Sequence, residues 1–213
     1  MILLLGPTGS GKSTLLKTLS VCIEGKQEQS SESEFKELPS TIPTVGTNLS
    51  SIALSKKNVV EIREVGGSLG PIWHSYYSEA TRIMYVIDAS NDHQISSASI
   101  QLMEVLRHNE AIPVLVILNK CDVPTKTSLI ELKYLLRLEK LIESAQQTVS
   151  TVELSCKERN GITDVFKWLR TSWSFKFFVI IWWRLGDFAQ CNFLHLSSVL
   201  FIWLGCTRNE YVW

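Results

Sequence analysis

The cysteines of this 213-residue sequence have no partners in any recognisable pattern. Cys22, Cys121, Cys156, Cys191 and Cys206 form no C-x-x-C pair and are odd in number, which argues against a structural zinc site and a disulfide framework. Neither sign of charge is in excess, with 21 basic and 21 acidic residues. A global attraction to nucleic acid or to anionic lipid is therefore missing. No apolar run reaches the ~18 uninterrupted residues of a membrane-spanning helix. The N-terminal apolar run is too short for a signal peptide and has no basic segment before it. Ile2 stands where N-myristoylation would need glycine. Apolar residues are scarce across 24–39, EGKQEQSSESEFKELP, which reads as a solvated loop. These absences leave a reducing, cytosolic protein as the default.

What is present begins at residues 6–14, GPTGSGKST. Gly6, Gly11, Lys12 and Ser13 fit the phosphate-binding pattern G-x-x-x-x-G-K-[ST], between an apolar strand (1–5) and a helical pattern opening at Lys12. Glycines let successive backbone N–H groups of Thr8, Gly9, Ser10 and their neighbours turn inward as an anion nest. The helix that follows, through Ser13 and Thr14, adds the positive end of its dipole. Lys12 supplies a point charge for β- and γ-phosphates, and the Ser13 hydroxyl is a hard oxygen ligand for Mg²⁺. The bland alternative is a Gly/Ser-rich turn that binds nothing; the strand before it and the helix after it argue against that.

The rest of the chain alternates strands and helices. Strands are expected at 47–54 and 58–64, joined as a hairpin by Lys56 and Lys57. Further buried strands are expected at 83–88, 113–118 and 148–154. Helical stripes run over 12–23, 95–108, 129–142 and from Ile162 to Trp173, with a short helix at 76–80. This is an α/β domain with a mostly parallel sheet. From residue 174 the composition shifts: the last forty residues hold four of the seven tryptophans. That tail shows no clear helical period and no basic face, which favours an alternative C-terminal end not selected for this fold over the other reading, a membrane-surface or buried segment.

A phosphate loop alone would also suit an ATPase or a kinase. Asn119-Lys120-Cys121-Asp122 follows the apolar run PVLVIL directly. The Asp122 carboxylate can accept from guanine N1–H and its exocyclic amine, whereas adenine presents an acceptor there and would leave the carboxylate unpaired. Asn119 would brace the phosphate loop, and the Lys120 stem could lie over the base. Ser155-Cys156-Lys157, after the last strand, could offer a backbone N–H to guanine O6. Thr44, in Pro43-Thr44-Val45-Gly46, could reach Mg²⁺ and the γ-phosphate. Glu64-Val65-Gly66-Gly67-Ser68 ends a strand, so that Glu64 could hold a water ligand of Mg²⁺ and Gly67 N–H could touch the γ-phosphate.

Together these five elements resemble the small GTPases, and the runs PTVGTN, EVGG and SCK…GIxxVFxWL are most similar to the Arf-like branch over about residues 2–173. The resemblance implies a P-loop small-GTPase fold, with a six-stranded, mostly parallel sheet flanked by five helices. It implies GTP and GDP as ligands with Mg²⁺, and switch segments around Thr44 and from Gly66 to Tyr77. It further implies a monomer that meets effectors, an exchange factor and an activating protein in membrane or ciliary traffic, with no nucleic-acid partner.

Four departures stand out. Glu64 replaces the family's Asp, extending the carboxylate by ~1.5 Å. Ser68 stands where the family has the Gln that orients the attacking water, so no catalytic residue is assigned and slow or activator-dependent hydrolysis is expected. Thr8 adds bulk beside the γ-phosphate position. Arf proteins attach to membranes through an amphipathic helix ahead of the first strand. Here the strand starts at Met1, so any peripheral membrane contact would have to come from partners or from the tail. Two other functions remain open: an interaction module that holds nucleotide constitutively, and a P-loop ATPase or kinase, which would tolerate adenine.

Overall fold

The computed structural model describes residues 1–27, 41–55, 58–108 and 112–171. The expected turn at Lys56 and Lys57, the loop from 28 to 39, Trp173 and the tail from 174 lie outside the described residues.

The uniformly apolar run Ile2–Leu5 forms β1, buried on both faces. After the phosphate loop, α1 runs Lys12–Gln27, four residues beyond the expected end. Thr47–Ser55 (β2) and Asn58–Val65 (β3) pair antiparallel, as the hairpin reading required. Arg82–Asp88 (β4), Val114–Asn119 (β5) and Val149–Glu153 (β6) complete a sheet of order β2-β3-β1-β4-β5-β6, parallel at every other pairing. From β1 the chain goes to one edge at β2, returns beside β1 as β3, and then builds outward to the other edge through β4, β5 and β6. That reversal opens a crevice at the carboxyl ends of the strands, where ligands of open α/β sheets sit.

Five α-helices occur among the described residues: α1, Ile95–Arg107 (α2), Leu129–Leu135 (α3), Leu138–Ser144 (α4) and Ile162–Arg170 (α5). The helix expected over 129–142 is two. Arg137 takes a left-handed conformation (φ 50°) between them, and the bend lets Leu132, Leu136 and Leu138 all reach the core. That burial outweighs the local preference to continue a helix. A capping box starts α3, with Ser128 and Glu131 satisfying each other's backbone N–H groups.

The short helix expected at 76–80 falls, up to Glu79, inside a long 3-10 segment, Gly67–Glu79, which contains Pro71. Its packing is set by Trp73, which is buried, stands edge-on to Tyr85 with ring centroids 6.1 Å apart, and donates from Nε1 to Gly66 O at 3.2 Å. Tyr77 also packs into the core, while Tyr76 is only partly buried. No helix among the described residues is long and apolar enough to cross a membrane.

Candidate functional site

The loop between β1 and α1 folds around Lys12. Its ammonium is almost wholly buried and donates to Gly6 O and Pro7 O, each at 2.8 Å. Burial lowers its pKa to about 8, against a smaller opposing pull from Glu64. Two glycines permit the close approaches that shape this loop. Gly11 has φ +94°, and a side chain there would meet Asn119 Nδ2 at 2.2 Å. Gly67 lies against the loop backbone so closely that a Cβ would stand 2.2 Å from Thr8 N. The structure thus brings the EVGG glycine to the phosphate loop, while the Thr8 side chain stays exposed.

A cleft of about 270 Å³ opens here, lined among others by Gly9, Lys12, Ser13, Thr14, Thr44, Glu64, Gly67 and Lys120. Inside it Ser13 Oγ donates to Glu64 Oε1 at 2.5 Å, and Thr44 Oγ1 donates to the same oxygen at 2.9 Å. Glu64 Oε2 is buried without a partner. Three hard oxygens with a carboxylate oxygen left over fit the needs of Mg²⁺. Ser13, Thr44 and Glu64 would hold it, and its charge would offset that of a phosphate chain lying on the loop. Gly66 joins the two segments around this cluster: its N–H donates to Gly46 O at 2.8 Å, and its own carbonyl receives Trp73.

The predicted base-reading residues come together at the carboxyl ends of β5 and β6. Asn119, fully buried, donates from Nδ2 to Ser10 O at 2.9 Å, which is the expected brace. Its Oδ1 has no partner. Asp122 accepts from Ser155 Oγ at 2.7 Å, and Ser155 Oγ accepts in turn from Glu158 N at 3.0 Å. Ser155 therefore holds the carboxylate by its side chain, a role beyond the backbone contact anticipated for this loop. Cys156 is buried against Thr18, and burial pushes its thiol up to about 11, which suits a packing residue and not a nucleophile. Lys157 is exposed.

One residue of the site escaped the sequence reading. Asp88, at the end of β4, accepts from Lys120 Nζ at 2.5 Å and from Ser90 N and Oγ at 2.9 and 2.6 Å. Parallel pairing sets Asp88 beside Asn119, so its carboxylate reaches the next residue's ammonium. Lys120 has a left-handed backbone (φ 64°), and this ion pair fixes where its stem lies. The only sequence signal was a carboxylate closing an otherwise apolar strand.

The chain matches the model of the ADP-ribosylation factor family over residues 1–173. It is 41% identical to human ADP-ribosylation factor-like protein 16 over 177 residues, covering 81% of this chain and 85% of that protein. With ADP-ribosylation factor-like protein 3 of Saccharomyces cerevisiae it shares 31% identity, over 79% of this chain and 82% of the relative. Among solved structures, that of the Arl6 BBS3 small GTPase from Trypanosoma brucei with a bound nucleotide analogue, GppNp, superimposes with a TM-score of 0.63 at 19% identity. It covers 79% of this chain and 94% of that one, a likeness of fold. The chain belongs to the ADP-ribosylation factor family of GTP-binding small GTPases.

Proposed function

We propose that this chain is a GTP-dependent switch that retains its nucleotide well and hydrolyses it slowly without an activating protein. The observation that carries the reading is the convergence of Ser13, Thr44 and Glu64 on one cleft beside Lys12 and Gly67. Thr44 and Gly67 lie on the two segments tied together at Gly66 and Gly46, so an added third phosphate has contacts to make with both. Lys12, the loop N–H groups and the α1 N-terminus hold the phosphates. Asp122, positioned by Ser155, accepts from guanine, while Asn119 couples that loop to Ser10. Bound GTP would supply the charge and the cleavable phosphoanhydride; the protein orients it and selects the base.

Slow hydrolysis follows from Ser68. A serine at this place cannot span the distance at which the longer glutamine orients water. The domain that does this is proposed to end near Trp173, with the last forty residues outside it. The process served, by similarity to the family, is membrane or ciliary traffic from the cytoplasm, through effectors, an exchange factor and an activating protein. Ser68 also favours a second reading, a module that keeps its nucleotide and does not cycle.

Competition against a fluorescent GTP analogue is the test. GTP and GDP should displace it at low micromolar concentration or below, and ATP should fail; displacement by ATP would overturn the reading. Release of bound GDP within minutes in excess nucleotide and low magnesium would favour the switch over the non-cycling module.

A further inference from the structure

The oxygens at the metal side of the cleft form a compact triangle. Ser13 Oγ lies 2.5 Å from Glu64 Oε1, Thr44 Oγ1 lies 2.9 Å from it, and the two hydroxyls are 3.1 Å apart. Mg²⁺ holds six oxygens at about 2.0–2.1 Å in an octahedron. Adjacent ligands of such a shell are separated by √2 times that distance, about 2.9 Å. The triangle is thus close to the size of one octahedral face.

We propose that Glu64 is itself a ligand of the magnesium ion, bound directly through its carboxylate and not through an intervening water. This deepens the GTP-switch reading and rests on it. β3 fixes the backbone here, since Glu64 pairs in register with Leu4 of the central strand. From that anchor, the methylene by which glutamate exceeds aspartate carries the carboxylate ~1.5 Å further, and it ends within hydrogen-bond distance of both hydroxyls. The residue is only 1% exposed, and its second oxygen has no partner. A buried carboxylate charge is costly unless it is compensated, and a divalent cation held beside it compensates it.

The ligand count then changes. Ser13, Thr44, Glu64 and two phosphate oxygens fill five positions and leave one water, where a carboxylate acting through water would leave two. A carboxylate in place of water also lowers the charge of the metal shell by one. The metal pulls less strongly on the phosphate oxygens, which adds to the slow hydrolysis attributed to Ser68.

The test uses the whole chain loaded with Mn²⁺ and GppNp. Line broadening of the Mn²⁺ electron paramagnetic resonance signal in ¹⁷O-enriched water counts the coordinated waters. One water is expected for the wild type and two for Glu64→Asp. Two waters in the wild type would overturn the proposal, even if the variant failed to fold; so would an unchanged count of one in the variant. A titration beforehand separates the two levels of inference: a wild type that does not bind GppNp ends the switch reading, and this proposal with it.

Discussion

Ser155 Oγ donates to Asp122 Oδ1 at 2.7 Å across 33 residues of sequence. Because Glu158 N donates to the same hydroxyl, Ser155 is held in place and holds Asp122 in turn. The carboxylate is oriented before any base arrives. Ser155→Ala should remove a hydrogen bond to a charged group, worth about 1.5–3 kcal/mol. Guanine-nucleotide affinity should fall by about tenfold or more, measured by equilibrium titration. Asp122→Asn exchanges one acceptor for a donor, so it should lose guanine selectivity and favour xanthine, whose C2 carbonyl accepts.

Lys12 should make nucleotide binding pH-dependent. Its pKa is lowered by burial to about 8 in the nucleotide-free protein, and a phosphate chain beside it must raise that value. Below pH 8 the ammonium is already charged and binding moves no proton. Above it, binding must recharge the amine, so affinity falls as pH rises, by up to about tenfold per unit. Calorimetry near pH 8 in buffers of different ionisation enthalpy should show uptake of about half a proton per GDP bound. No proton uptake at that pH would contradict the assignment.

Ser68 opens the 3-10 segment that begins at Gly67. If the missing element is the group that orients water, Ser68→Gln should raise single-turnover hydrolysis at least ~tenfold without changing GTP affinity by more than about twofold. Phosphate release from preloaded protein measures it. An unchanged rate would place the deficiency elsewhere, with Glu64 the next residue to vary.

Arg82 ties the sheet to the last helix. Its Nη1 donates to Trp168 O at 3.2 Å and Leu169 O at 2.9 Å, and its guanidinium lies 5.6 Å from the Trp168 ring centroid. These are carbonyls at the negative end of α5, so the charge is placed where the helix dipole favours it. Arg82→Met keeps the stem but removes these bonds. Urea unfolding should show a loss of about 1.5–3 kcal/mol, with nucleotide selectivity retained.

The local grammar of the chain was enough for its class and for most of the residues that line the candidate site. Uniform apolar strands, periodic helices and the loops GPTGSGKST, PTVG, EVGG and NKCD each announce themselves within a dozen residues, because backbone turns and anion nests are short-range structures. Tertiary structure decided what those loops do to one another. Ser13, Thr44 and Glu64 are separated by 20 to 51 residues and meet only because β3 pairs with β1. Asp88 gained its role from parallel register beside Asn119, and Ser155 from the approach of the last loop to Asp122. Helix propensity could not foresee the break at Arg137, because the burial of Leu136 and Leu138 is a property of the folded core. Spacing in sequence marks which groups are candidates to bind phosphate and guanine. The sheet order specifies which oxygens come together, since that depends on distances no local pattern contains.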